Sequence, residues 1–248
     1  MTRFSCIARP LLLSTAGLAI ALAVPQMAYA QVLVAPSGAS ATNEIGGGYG
    51  VLQTISGGGL AGTTLGATHD LVTNTGYENK FWISTAAAPV PITLTYNFAA
   101  APTLSGVGIW NAVFEPPLQG HYTYDGAPSV FDLEVTYSGG TKSYTGVTLG
   151  TTQVTGQRFD FCENLTGVTQ IRFTIQSDTR STDPAGGDKN VYLSEFRGLQ
   201  DAAAACVNPL PGAVVATPVA VPVNGVGMLF SLSVLLSGLG FFGIRRRA

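Results

Sequence analysis

The chain has 248 residues, 46% of them hydrophobic and only 10% charged, with 12 Lys and Arg against 14 Asp and Glu. Arg3 and Arg9 lie near the start and Arg245, Arg246 and Arg247 at the end, so the stretch between carries about −7 (14 acids against 7 bases). That balance excludes nucleic acid and anionic membrane surfaces as binding partners, because both require a basic footprint.

Residues 1–30 read as a signal peptide: a basic start, an apolar run over 11–24, and the small-x-small site Ala28-Tyr29-Ala30. Signal peptidase is then a processing partner, and Gln31 becomes the first exported residue. Cys6 leaves with the signal, so Cys162 and Cys206 remain in an oxidising compartment, where they most simply form one disulfide. Such a bridge ties the segment after the last strand back to the sheet and contributes about 4 kcal/mol in the chain-entropy picture.

Residues 31–205 read as one all-β domain. The Gly/Ser/Ala/Thr-rich stretch 36–66 supplies loose entry strands, and Gly57-Gly58-Gly59-Leu60-Ala61-Gly62 spells G-x-G-x-x-G without the strand before and helix after that a dinucleotide site needs. It reads as a flexible loop. Three segments then alternate with period two: Ile92, Leu94, Tyr96 and Phe98; Phe131, Leu133, Val135 and Tyr137; Ile171, Phe173 and Ile175. Each predicts a strand with one apolar and one wet face. Less regular strands fall at 105–111, 142–149, 157–162 and 190–197, with a hairpin turn at Gly139-Gly140. Many short strands joined by Gly/Pro-rich turns predict an antiparallel jelly-roll β-sandwich.

Two connections and one strand carry the candidate sites. Residues 112–129 form a long segment holding Phe114, Glu115, His121, Tyr122, Tyr124 and Asp125, which suits sugar recognition: aromatic faces for C–H groups, carboxylate and imidazole for hydroxyls. Phe114 and Tyr122 could equally pack the loop onto the sandwich. The acidic stretch 178–190 lacks EF-hand spacing and reads as a solvated loop. Trp82 and Trp110 read as core. Glu195 falls, by strict alternation, on the face of Val191 and Leu193, where a carboxylate needs a cation or hydrogen bonds. Alternatively Tyr192 and Phe196 form the core face, with Glu195 outside or paired to Arg172 or Arg197. Two histidines, His69 and His121, without H-E-x-x-H and without G-x-S-x-G, give no basis for an enzyme.

The tail follows. Residues 206–225 read as a Pro/Val/Ala-rich linker, 226–244 as a single transmembrane helix of bilayer length, and 245–248 as a cytoplasmic arginine cluster. Val221-Pro222-Val223-Asn224, the apolar helix and Arg245 to Arg247 together resemble the PEP-CTERM and IPTL-CTERM sorting signals. The resemblance implies a Gram-negative envelope, passage through the inner membrane, an exosortase-type processing enzyme, and a body delivered to the cell surface or the extracellular matrix.

Within the body, Ile92 to Phe98, Leu104-Ser105-Gly106-Val107-Gly108-Ile109-Trp110-Asn111, Val168 to Ile175 and Val191-Tyr192-Leu193-Ser194-Glu195-Phe196-Arg197 resemble, in order, strands of the discoidin-like, galactose-binding-like jelly roll. That resemblance implies a non-catalytic domain binding glycans or surface ligands through end loops. It also implies Ca2+ held by Glu195 with oxygens from Asp70, Asn74 or Asn79. The expected function is therefore an exported carbohydrate-binding protein whose partner is extracellular polysaccharide. The alternatives are a structural matrix protein with no specific ligand and, behind both, a hydrolase on a β-sandwich.

Overall fold

The computed structural model describes residues 31–71, 79–114, 126–151, 154–180, 190–201 and 206–213. The signal peptide, the sorting motif, the apolar span and the arginine cluster lie outside these residues. Among the described residues ten strands run in chain order: β1 Val32–Val34, β2 Gly38–Ala41, β3 Trp82–Ile83, β4 Ile92–Asn97, β5 Leu104–Asn111, β6 Pro128–Tyr137, β7 Gly140–Thr148, β8 Gln157–Leu165, β9 Gln170–Asp178 and β10 Tyr192–Gln200. Short 3-10 turns occupy Gly47–Tyr49 and Val51–Ile55. The strands form two antiparallel five-stranded sheets, β1-β10-β5-β8 with β3 also on β10, and β2-β4-β9-β6-β7. Between β4 and β10 only the β6–β7 hairpin stays within one sheet, which gives the expected sandwich its jelly-roll winding.

The three segments of regular alternation are β4, β6 and β9, adjacent strands of the second sheet. Ile92, Leu94, Tyr96, Phe131, Leu133, Val135, Ile171, Phe173 and Ile175 are buried. The opposite face meets water and is laced by its own side chains: Thr93 to Thr174 at 3.0 Å, Arg172 to Glu134 at 3.1 Å, Gln170 to Asn97 at 3.1 Å. Between the sheets, Tyr96 of β4 stacks on Phe196 of β10 with ring centroids 3.9 Å apart, and Phe131 meets Phe159 edge-on.

The first sheet is irregular in sequence for a physical reason. Every residue of β5, and all of β10 except Gln200, is buried, so neither strand has a wet face to alternate against. Residues from the 43–71 segment cover its outer side. Trp110 is buried there and donates its indole N–H to the Ala67 carbonyl (2.9 Å), while Trp82 is buried in the main core. The hairpin turn falls on Ser138-Gly139, one residue before the predicted position, because Tyr137 pairs with Gly140.

The disulfide Cys162–Cys206 is formed. Residues 206–213, which composition reads as the start of a linker, are folded onto β8. Val207 and Asn208 donate backbone N–H groups to Asp160 Oδ2 (2.9 and 2.8 Å), and Leu210, only 2% exposed, donates to the Asp160 carbonyl. The body therefore extends to at least Ala213 instead of ending at 205. The segment also covers part of the edge of β8, where exposed N–H and C=O groups would invite pairing with another chain.

Candidate functional site

Strand register places the two long connections at one end of the sandwich. Asn111 at the end of β5 lies opposite Leu193 near the start of β10, and Pro128 at the start of β6 lies opposite Asp178 at the end of β9. The roots of both loops are pinned. The Ala127 N–H donates to Thr179 Oγ1 (2.9 Å) and Asn190 donates to the Ser84 carbonyl (3.1 Å). Arg180 grips both oxygens of Asp178 at 2.8 Å and donates to the Ala88 carbonyl. Phe114 is 4% exposed, edge-on to Tyr192, in a small cluster with Phe81, Ile83 and Ala112. It anchors the loop by packing, the second of its two expected roles. Glu115, His121, Tyr122, Tyr124 and Asp125 lie outside the described residues.

Glu195 is the other focus, and strict alternation misplaces it. The β10–β5 register shifts between Leu193 and Glu195, so Leu193 lies opposite Asn111 and Glu195 opposite the very next residue, Trp110. This extra residue is a β-bulge, and it reverses the phase of the strand. Leu193 and Phe196 both reach the core, while Glu195 and Arg197 face outward together beneath the 55–59 turn. The alternative pairing with Arg197 is the one formed, with Nη2 2.6 Å from Oε1. Period two puts the pair on one face once the bulge is known; the bulge itself leaves no periodic signal.

The carboxylate is wholly buried and neither oxygen takes an aligned hydrogen bond. Burial pushes its pKa up to about 8, against the opposing pull of Arg197 and the Gly57 backbone. Arg197 is itself held by the Ile55 carbonyl at 3.0 Å. Gly57 passes directly over the guanidinium: its φ is +73°, and a Cβ there would sit 3.1 Å from Nη2. Gly59, at φ +87°, leaves room for the His69 ring, which a Cβ would approach to 2.8 Å. Burial lowers the His69 pKa. The glycine-rich stretch expected to be a flexible loop is thus an ordered turn fitted against two buried side chains.

Asp70 and Asn79 flank the same turn. The Asp70 N–H donates to the Gly59 carbonyl at 2.7 Å, and the Asn79 carbonyl lies against Gly58. Asp70's carboxylate, however, is paired to Lys80 at 2.7 Å, Glu195's to Arg197, and Asn74 lies outside the described residues. Among the described residues no three of His, Cys, Asp and Glu gather as a metal cluster. Calcium needs several converging oxygens, and the described side chains do not fit that demand.

No family model matches the chain, and no curated protein matches it. Solved structures do resemble it. A family 32 carbohydrate-binding module from Clostridium perfringens NanJ, solved with galactose, superposes with a TM-score of 0.46 and 14% identity, over 69% of this chain and 100% of that one. A putative chitobiase fragment from Bacteroides thetaiotaomicron gives 0.45 and 18%, over 67% and 90%. A F5/8 type C domain from Bacteroides fragilis gives 0.44 and 15%, over 69% and 97%. The assignment to an antiparallel β-sandwich rests on the chain's own strands and registers.

Proposed function

We propose that this chain is a non-catalytic, exported module that binds extracellular carbohydrate through the loops at the β5–β6 and β9–β10 end of its sandwich. The observation that carries the reading is the emergence of both long connections from one end, with roots fixed by Thr179, Asn190 and Arg180. A rigid scaffold that presents long loops is the usual architecture of a binding site, because the framework absorbs the ordering cost in advance. The sequence of 112–129 contains aromatic, imidazole and carboxylate groups of the kind that sugar recognition uses. A signal peptide removed by signal peptidase, an exosortase-type tail and surface display complete the reading. Screening the full chain against a glycan panel, with and without chelator, tests it. Binding that disappears in His121→Ala or Tyr124→Ala supports the loop end, whereas no glycan bound at millimolar concentration leaves a structural matrix protein.

A further inference from the structure

Beside the Glu195–Arg197 pair, away from the loop end, edge strand β1 and the 57–63 segment border a cavity of about 600 Å³. The volume lies in the range that holds sugar-sized ligands. Leu33, Ala35, Leu60 and Ala61 give it apolar walls, and Gly57, Thr63 and Arg197 supply the polar ones.

The charge at this cavity is one-sided. Arg197 is 7% exposed and lines the cavity from beneath the Gly57 turn. Its Nη1 donates to the Ile55 carbonyl at 3.0 Å, and its Nη2 lies 2.6 Å from Glu195 Oε1. A guanidinium keeps its charge in a protein, whereas a carboxylate taken out of water tends to give its charge up. Glu195 is wholly buried, and that burial pushes it toward the neutral form, so its partner's positive charge is left uncancelled at neutral pH. No carboxylate side chain lines the cavity, and Asp70, which flanks the same turn, is already paired with Lys80 at 2.7 Å. A cation among apolar walls attracts an anion strongly because little water screens it. Thr63 adds a hydroxyl that can donate to the same anion. Net charge narrows the choice further. The exported body carries about −7 (14 acids against 7 bases), which opposes a polyanion lying along it. A lone carboxylate in one pocket feels that field less, since charges beyond about 8 Å are largely screened at physiological salt.

We propose that this cavity is a second saccharide subsite that receives a single uronic acid residue of an otherwise neutral glycan. The carboxylate accepts from Arg197 and Thr63, and the sugar ring packs against Leu33, Leu60 and Ala61. The inference rests on the reading of the domain as a carbohydrate binder. Its location, on the flank of the first sheet, separates it from the end loops.

The test uses the full chain in mild detergent with three probes: a neutral β-1,4-galactose tetramer, the same tetramer ending in one glucuronic acid, and a galacturonate tetramer. The capped tetramer is expected to bind about tenfold more tightly than the neutral one, and to lose most of that advantage in about 1 M salt. It should also shift the Arg197 Nε–H and Thr63 amide resonances. Ala61→Trp fills the cavity from an exposed position, and Thr63→Glu, also exposed, sets a like charge beside the carboxylate. Each should abolish the advantage with an unchanged unfolding temperature, and Thr63→Glu decides alone if Ala61→Trp does not fold. Equal affinity for the neutral and capped tetramers, or tightest binding of the galacturonate tetramer, overturns the proposal and leaves the end-loop reading standing. An advantage that survives Thr63→Glu but is lost in His121→Ala overturns it in favour of the end loops. The reverse pattern supports it. No binding of any probe overturns it together with the carbohydrate reading.

Discussion

Glu195→Gln isolates the cost of holding an ionisable group in a closed site. Burial raises the Glu195 pKa from 4.5 to about 8, with Arg197 pulling the other way and Tyr96 the other titratable neighbour. The folded state therefore retains a proton that the unfolded chain releases. Stability supplied by that proton is fully present below about pH 4.5, falls through the window up to about pH 8, and is flat above it. At 1.36 kcal/mol per unit, Glu195 costs the fold roughly 3 kcal/mol at pH 7 relative to acid conditions. Glutamine keeps the shape and loses the titration. Urea unfolding of both proteins at about pH 5, 6, 7 and 8 should show their stability difference moving by roughly 3 kcal/mol in favour of the variant as pH rises. Below about pH 8 the folded-state Glu195 is neutral, so glutamine removes no charge from beside Arg197, and exchanging one neutral group for another adds only a constant offset. A difference that moves by less than about 1 kcal/mol would falsify the claim that burial dominates the pair.

Asp160→Ala removes the acceptor of the Val207 and Asn208 N–H groups and the ion partner of Arg158. With charged hydrogen bonds worth about 1.5–3 kcal/mol each and not additive, a loss of about 3 kcal/mol is expected, with protease cutting after 206 as the local readout. Phe114→Ala empties a packed position and should cost about 3 kcal/mol in urea unfolding, the signature of a loop anchor and not of a ligand contact. Because Arg197 supplies the positive charge facing Glu195, chelator should shift the unfolding temperature by less than about 1 °C; a large fall would restore calcium to the site. Reduction of Cys162–Cys206 should lower stability by up to about 4 kcal/mol, measured by urea unfolding with and without reductant.

The residues themselves determined the class of fold and the strands of the second sheet. Ile92 to Tyr96, Phe131 to Val135 and Ile171 to Ile175 alternate because their sheet has one dry and one wet face, and alternation is a local property of sequence. The Cys162–Cys206 pairing was legible through one further expectation, that Cys6 departs with a signal peptide and leaves two of the three cysteines to pair. The tertiary structure decided the rest. Strands β5 and β10 lost their alternation because the 43–71 segment, distant in sequence, dries their outer face. The bulge after Leu193 sent Glu195 to the side opposite the one that strict alternation assigned, since one unpaired residue reverses every later side chain. The Gly57–Gly59 turn became a lid over Arg197, and residues 206–213 joined the body through Asp160, because both depend on contacts that close only when the chain has folded.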